Sequence, residues 1–299
     1  MLGELAAMGT AVCWSLTAVF FSYSGRKIGS DVVNRSRLIF ALMFLAVMHL
    51  LLEGSLFPQN VAPYRWWWLG VSGILGLVLG DTFLFRAYVM VGPRLSMLMM
   101  SSVPIFSVVF GWLLFGETIS SLEMVGILLA VGGIGWVVTE KQNGLTVVEN
   151  KAYKAGLFFA LLGALGQVAN LVTAKFGLAG GYPTISATMI RLFVAVIVLW
   201  AFAALRGQVR YTFRQWRNKE AFPAMLAGSF TGPFLGIWLS LVAVSMTRLG
   251  IASTLMALPP VILIPVEYFI LKRPVSNRGI IGTLVAFVGV MMLFVNVGG

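Results

Sequence analysis

Charge is scarce in this sequence. Asp, Glu, Lys and Arg make up 10% of its 299 residues, and the acids number only ten. A soluble chain of this length needs far more polar surface, so a water-exposed globular domain is excluded. Cysteine and histidine are scarcer still. Cys13 is the single cysteine, which rules out an intramolecular disulfide, and His49 is the single histidine. Together they are too few soft ligands for a zinc site. No GxxxxGK[ST] loop, HExxH or Cys/His cluster occurs. Those gaps count against an ATP-driven pump, a metalloenzyme and a bound cofactor. Segments such as GSF lack a base partner beyond His49, which disfavours a membrane enzyme, and a potassium-type filter sequence is missing too. The first apolar run has no basic flank or cleavage signal before it, so no removable signal peptide is expected.

What fills the sequence instead is apolar. Hydrophobic residues are 59% of the chain and its mean hydropathy is +0.95. A bilayer core asks for about 20 apolar residues per helix. Ten such runs can be read, near 3–24, 32–53, 66–91, 94–115, 121–139, 153–177, 184–205, 222–246, 250–271 and 277–296. They are too long for strands and lack the alternation of a barrel wall. The expectation is an all-α integral membrane protein with ten transmembrane helices.

The net charge of +11 would suggest nucleic acid in a soluble protein. Here the basic residues lie between apolar runs, where they orient helices, so no nucleic-acid partner is expected. All but four of the 21 Lys and Arg residues fall beside the odd-numbered loops; the exceptions are Arg65, Lys175, Arg191 and Arg248. The positive-inside rule then puts both termini on the non-cytoplasmic side of a cell inner membrane. Trp66 to Trp68 would sit at the outer interface.

The two halves echo each other. With an offset of 156, residues 80–139 align without a gap on 236–295: Gly80 meets Gly236, Met100 meets Met256, Pro104 meets Pro260, and Gly126 and Gly133 meet Gly282 and Gly289. With an offset of 154, Arg37 meets Arg191. Residues 1–140 and 153–299 are therefore read as two repeats joined by a cytoplasmic linker, 141–152. Five helices per repeat is an odd number, so the second copy must be inverted. Inverted repeats are typical of secondary transporters, with the solute site between the halves and alternating access as the mechanism.

The candidate site begins at GDTFLFRAYVMVGP, residues 80–93. Asp81 lies about ten residues from the inner end of its helix, roughly 15 Å at the helical rise. That is near the middle of a core about 30 Å thick. An acid there costs about 2.5–3.5 kcal/mol and must face protein or water. Arg86, nearer the end, can snorkel. Phe85 and Tyr88 share a helix face with Asp81, a stripe suited to an ammonium group or to proton exchange. A structural bond from Asp81 to backbone or to an arginine of another helix is the competing reading. The repeat copy has Ile237, Leu241 and Val244 in these places.

Other candidates are weaker. Met97, Met100, Ser101 and Pro104 share one face, and Ser253, Met256, Ala257 and Pro260 share the matching face of the repeat. The methionines suit either a loosely defined ligand or a core; the prolines read as kinks or hinges. Gln167 and Asn170, one turn apart, would line the site or bond across helices. Trp14 with Thr17, and Trp238, read as packing or cavity wall. Arg37 and Arg191 read as snorkelling anchors, with gating ion pairs as the sharper alternative. Glu267 is expected to be screened by Lys272 and Arg273.

On these residues the chain resembles the drug/metabolite transporter superfamily, in its ten-helix EamA-type branch. The stretch VPIFSVVFGWLLFGETISSLEMVGILLAVGGIGWVV carries most of the likeness, with CWS in the first helix, Arg37, and Arg191, Pro260, Gly282 and Gly289 in the second half. The chain departs from that pattern at LKRPVS, where Lys272 and Arg273 replace an acidic ending. The resemblance implies transport of small metabolites, often export of amino acids or related amphiphiles, from a cavity lined by helices 1, 3, 4, 6, 8 and 9. A small-molecule solute and the lipid bilayer are the expected partners, with the proton as candidate coupling ion and monomer or homodimer as the open assemblies. A transporter of larger or phosphorylated metabolites and a non-transporting scaffold subunit are the alternatives. A central acid argues against anionic cargo.

Overall fold

A computed structural model describes residues 2–106, 120–138, 147–246, 255–270, 272 and 275–292. No strand occurs among them. The helices are α1 (Leu2–Ile28), α2 (Ser30–Glu53), α3 (Pro63–Met90), α4 (Pro93–Met100), α5 (Ser121–Val138), α6 (Val147–Gly177), α7 (Thr184–Leu205) and the short α8 (Val209–Gln215). Then come α9, built of Ala221–Ser229, Phe230–Gly236 and Ile237–Met246, α10 (Pro259–Ile270) and α11 (Asn277–Met292). Six stretches are long and apolar enough to cross a membrane: α1, α2, α3, Asn150–Ala174 in α6, α7 and Ala221–Ser240 in α9. Ser121–Val137, Pro259–Ile270 and Asn277–Met292 are shorter apolar helices.

The surface is the reverse of a soluble protein's. Leu51, Leu205 and Phe269 are among the most exposed side chains, whereas Arg37, Asp81 and Asn170 are buried. Lipid outside explains the first group; the interior must then satisfy the second.

Local features recur at the repeat offset. The α3 helix widens to a π-helical segment at Ile74–Gly80, and α9 does so at Phe230–Gly236, 156 residues later. Insertions of this kind shift the helix face and are frequent at functional sites. Breaks recur too. The helix α4 ends in a turn at Ser101–Ser102, and helix resumes at residue 103; the chain breaks again at Ala257–Leu258 before α10. Pro104 and Pro260 thus occupy the first turn after a break, where a missing N–H is tolerated, instead of kinking one continuous helix. The sequence reading had single helices over 94–115 and 250–271; the described parts of both are interrupted.

Packing follows the same exchange. The helix α1 runs along α9, α3 along α6, α2 along α7, α4 against α10 and α5 along α11. Swapping the halves maps this set onto itself. The α5–α11 contact shows it residue by residue. A Cβ on Gly133 would meet the Ala286 backbone at 2.5 Å, beside Gly282; a Cβ on Gly289 would strike the Ala130 backbone, beside Gly126. The partners rise in one helix as they fall in the other, so the two run antiparallel. Small residues let the backbones approach without the hydrophobic drive that water would supply. Ser120 and Glu123 cap the start of α5 reciprocally, Ser120 N–H to Glu123 Oε2 at 2.6 Å and Glu123 N–H to Ser120 Oγ at 3.3 Å.

Candidate functional site

One group of polar side chains in the interior forms a chain of hydrogen bonds across four helices. It starts in α2, where Arg37 is directed by Asn34: Arg37 Nε donates to Asn34 Oδ1 at 3.0 Å, and Asn34 Nδ2 donates to Thr82 Oγ1 at 2.9 Å. Arg37 Nη2 then pairs with Asp81 Oδ2 of α3. The other carboxylate oxygen, Oδ1, accepts from Gln167 Nε2 of α6 at 3.0 Å. Gln167 Oε1 accepts from Asn170 Nδ2 at 3.0 Å. Asn170 Oδ1 accepts from Arg191 Nη2 of α7 at 2.7 Å, and from Ser72 Oγ. Every donor in the relay from Arg191 to Asp81 points toward the acid, so both guanidiniums are coupled to one carboxylate.

Backbone geometry creates room for this chain. Gly76 lies within the π-helical segment of α3, and a Cβ there would lie 2.7 Å from Asn170 Cγ. No larger residue leaves Asn170 in place. Asp81 opens the regular helix after that segment and so takes its facing from it.

Arg37 is the principal correction to the sequence reading. It is no snorkelling anchor: it is buried, ion-paired, and stacked with its guanidinium carbon 4.7 Å from the Phe85 ring centroid. The reason is Asp81. A buried acid and a buried guanidinium are each costly alone and tolerable together. Of the two readings open for Asp81, the bond to an arginine of another helix is the one present here. Glu267 is also corrected. It pairs with Arg94 Nε of α4 at 2.8 Å, both side chains largely buried. Arg86 is half-exposed and meets Asp31 at 3.5 Å.

The remaining candidates divide by location. Phe85 and Tyr88 are buried in a cluster with Phe21, Val33, Leu84, Met225 and Leu263. The Phe21 and Phe85 rings lie 5.0 Å apart, and Tyr88 Oη contacts Met97 Sδ at 3.2 Å. Met97 and Met100 pack against this cluster, and Met256 packs against another around Ala6, Ala7 and Ala243. Ser101 is folded onto its own helix, its Oγ 3.4 Å from Met97 O. Trp14 is half-buried, beside the position a Gly236 Cβ would take. Trp238 is half-buried in α9. Ser253 lies outside the described residues, as do Gly116, Glu117 and Arg273. Thus Asp81, Gln167 and Asn170 come together, while Phe85, Tyr88, Met97 and Met100 form an adjoining apolar wall.

Sequence reasoning passed over Asn34, Ser72 and Thr82, and undervalued both arginines. One signal pointed to them: Arg37 and Arg191 occupy matching positions in the two halves, and Asn34 precedes Arg37 by one helical turn. His49, too, has a structural place. It is buried, with Nε2 3.0 Å from Ser186 Oγ, tying α2 to α7.

The two halves differ in packing. The helix α1 packs against α2 and against the Asp81–Met90 part of α3, which also packs against α2. Their counterparts, α6 with α7 and each of these with the Ile237–Met246 part of α9, make no comparable packing among the described residues.

Comparison with known proteins matches a family and a number of solved structures. Residues 1–139 and 154–295 each match the model of the EamA-like transporter family. A solved structure, titled only as the crystal structure of a protein, superposes with a TM-score of 0.65 at 20% identity, over 97% of this chain and 95% of that one. At that identity it speaks for the fold. No curated protein sequence matches significantly.

Proposed function

The chain belongs to the EamA-like transporter family, a multi-pass membrane protein that transports small solutes, and from that premise we propose a secondary transporter exporting a small organic metabolite, such as an amino acid, by alternating access. The carrying observation is the polar relay Arg37–Asp81–Gln167–Asn170–Arg191, which links both halves of the chain through its buried interior. Ionisable groups inside a membrane bundle are costly, which favours a functional role for this relay over a purely scaffolding protein.

The working arrangement is ten spans in two inverted five-helix repeats. The antiparallel α5–α11 contact, the recurrence of the π-helical segments and the exchange-symmetric packing support it. Alternating access then exchanges the packing of the halves. The end closed by Phe21, Phe85 and Tyr88, with the Arg94–Glu267 pair between α4 and α10, opens as its counterpart among α6, α7 and α9 closes. The excess of Lys and Arg beside the closed end makes it cytoplasmic and the opposite end external, in an inner membrane. Asp81, Gln167 and Asn170 meet the solute; Phe85, Tyr88, Met97 and Met100 form the floor beneath it; Ser101, Met256, Trp14 and Trp238 belong to the same lining, with Ser253 proposed from its repeat position alone; and Pro104 and Pro260 sit where broken helices hinge. Asp81 is also the group able to exchange a proton with the solute's passage.

Purified protein in liposomes tests the reading. Counterflow of at least one amino acid is expected, and Asp81→Asn should lower it by about tenfold or more while the protein stays folded, the loss of one charge-assisted contact. Full counterflow by that variant at every pH would remove Asp81 from the mechanism. Flux of sugar phosphates alone would favour the larger, phosphorylated cargo. No flux over a broad panel would favour a scaffold.

A further inference from the structure

Arg37 and Arg191 occupy matching positions in the two halves but have unequal surroundings. Arg37 has Asn34 on Nε, Asp81 on Nη2 and the Phe85 ring under its plane. Arg191 has one hydrogen bond, from Nη2 to the neutral Asn170 Oδ1. Its Nε is buried without a hydrogen-bond partner. The counterpart of Asp81 at the repeat offset is Ile237, so the second half supplies no acid at that place. The relay thus holds two guanidiniums against one carboxylate, a surplus of one positive charge. An under-bonded cation away from bulk water is costly unless an anion joins it.

Location supports access for that anion. Arg191 is half-buried, unlike Arg37, and lies on α7, which beyond contacts such as its own bond to Asn170 has no packing against α6 or the Ile237–Met246 part of α9 comparable to that of the first half among the described residues. The guanidinium offers a planar fork that matches a carboxylate. Building on the transport reading above, we infer that Arg191 binds the carboxylate of the solute, which takes the place of the acid the second repeat lacks. The amino group of an amino acid can then turn toward Asp81 along the same relay. This reverses the objection to anionic cargo that a central acid raises: Asp81 is already neutralised by Arg37, and the free charge is positive.

The test uses the full-length protein in phosphatidylcholine liposomes, whose headgroups carry no net charge, with the common amino acids and the amines formed by their decarboxylation as probes. At least one amino acid should be carried and its amine should not. Arg191→Gln should lower that flux about tenfold or more, Arg191→Lys should restore part of it, and neither should lower the melting temperature without solute. A purely structural arginine would show the opposite, a lower melting temperature. Equal flux of amine and amino acid, or an unchanged rate in Arg191→Gln, overturns the inference while leaving transport intact. Absence of any flux overturns both.

Discussion

The first repeat and the second are alike in frame and unlike in filling. Both have a π-helical segment, a broken helix and a glycine-lined partner at matching positions. Only the first places an acid after its π-helical segment, Asp81 against Ile237, and aromatics on the following turns, Phe85 and Tyr88 against Leu241 and Val244. The first repeat's end is closed by packing among α1, α2 and α3, while the second's has no comparable packing among the described residues. On the alternating-access reading proposed above, the shared frame would supply two exchangeable conformations and the unequal filling would give them different chemistry. Differential contacts of this kind let a solute bias an equilibrium between states.

The largest expected effect comes from breaking the acid's neutralisation. Arg37→Met strands the buried Asp81 carboxylate and should cost about 3–5 kcal/mol in a reversible unfolding measurement. Arg191→Met, at the matching place, strands no acid and should cost far less. Equal losses would erase the difference between the halves. The next effect sharpens their likeness. Gly133→Val and Gly289→Val each force a side chain into the facing backbone at the α5–α11 contact, and each should cost about 1–3 kcal/mol. The two losses should agree, because the glycines are repeat counterparts and so are the alanines they meet, Ala286 and Ala130; a loss confined to one would deny the local twofold. The smallest effect lies outside the comparison. Asp31→Asn removes the half-exposed contact with Arg86, and its stability change should be under about 1 kcal/mol.

Much of the frame was legible before the structure, because apolar length and glycine and proline positions are local properties. Most described helices overlap the expected runs, although the short α8 lies between two of them and α6 begins at Val147, within the stretch read as linker; Asp81 is buried, as its surroundings required. The π-helical segments were not legible. Both lie in helices packed on partners far off in the sequence, α3 on α6 and α9 on α1. Nor was the choice of partner for Asp81, since Arg37 stands 44 residues away and its direction depends on Asn34 and on the rotation of α3. Glu267 makes the same point: its neighbours in sequence were cations, yet its partner is Arg94, 173 residues distant. Charge depth can be counted from a sequence, whereas charge pairing belongs to the packed bundle.

Alternating access is tested most directly at the closed end. A Cβ on Gly25 would lie 2.9 Å from Val89 Cγ2, so cysteines at these two positions face each other across α1 and α3. In a Cys13→Ser background, oxidation of Gly25→Cys/Val89→Cys should form the crosslink readily and stop solute flux in liposomes, and reduction should restore it. Undiminished flux with the crosslink fully formed would contradict the mechanism, because the end held shut would then never need to open.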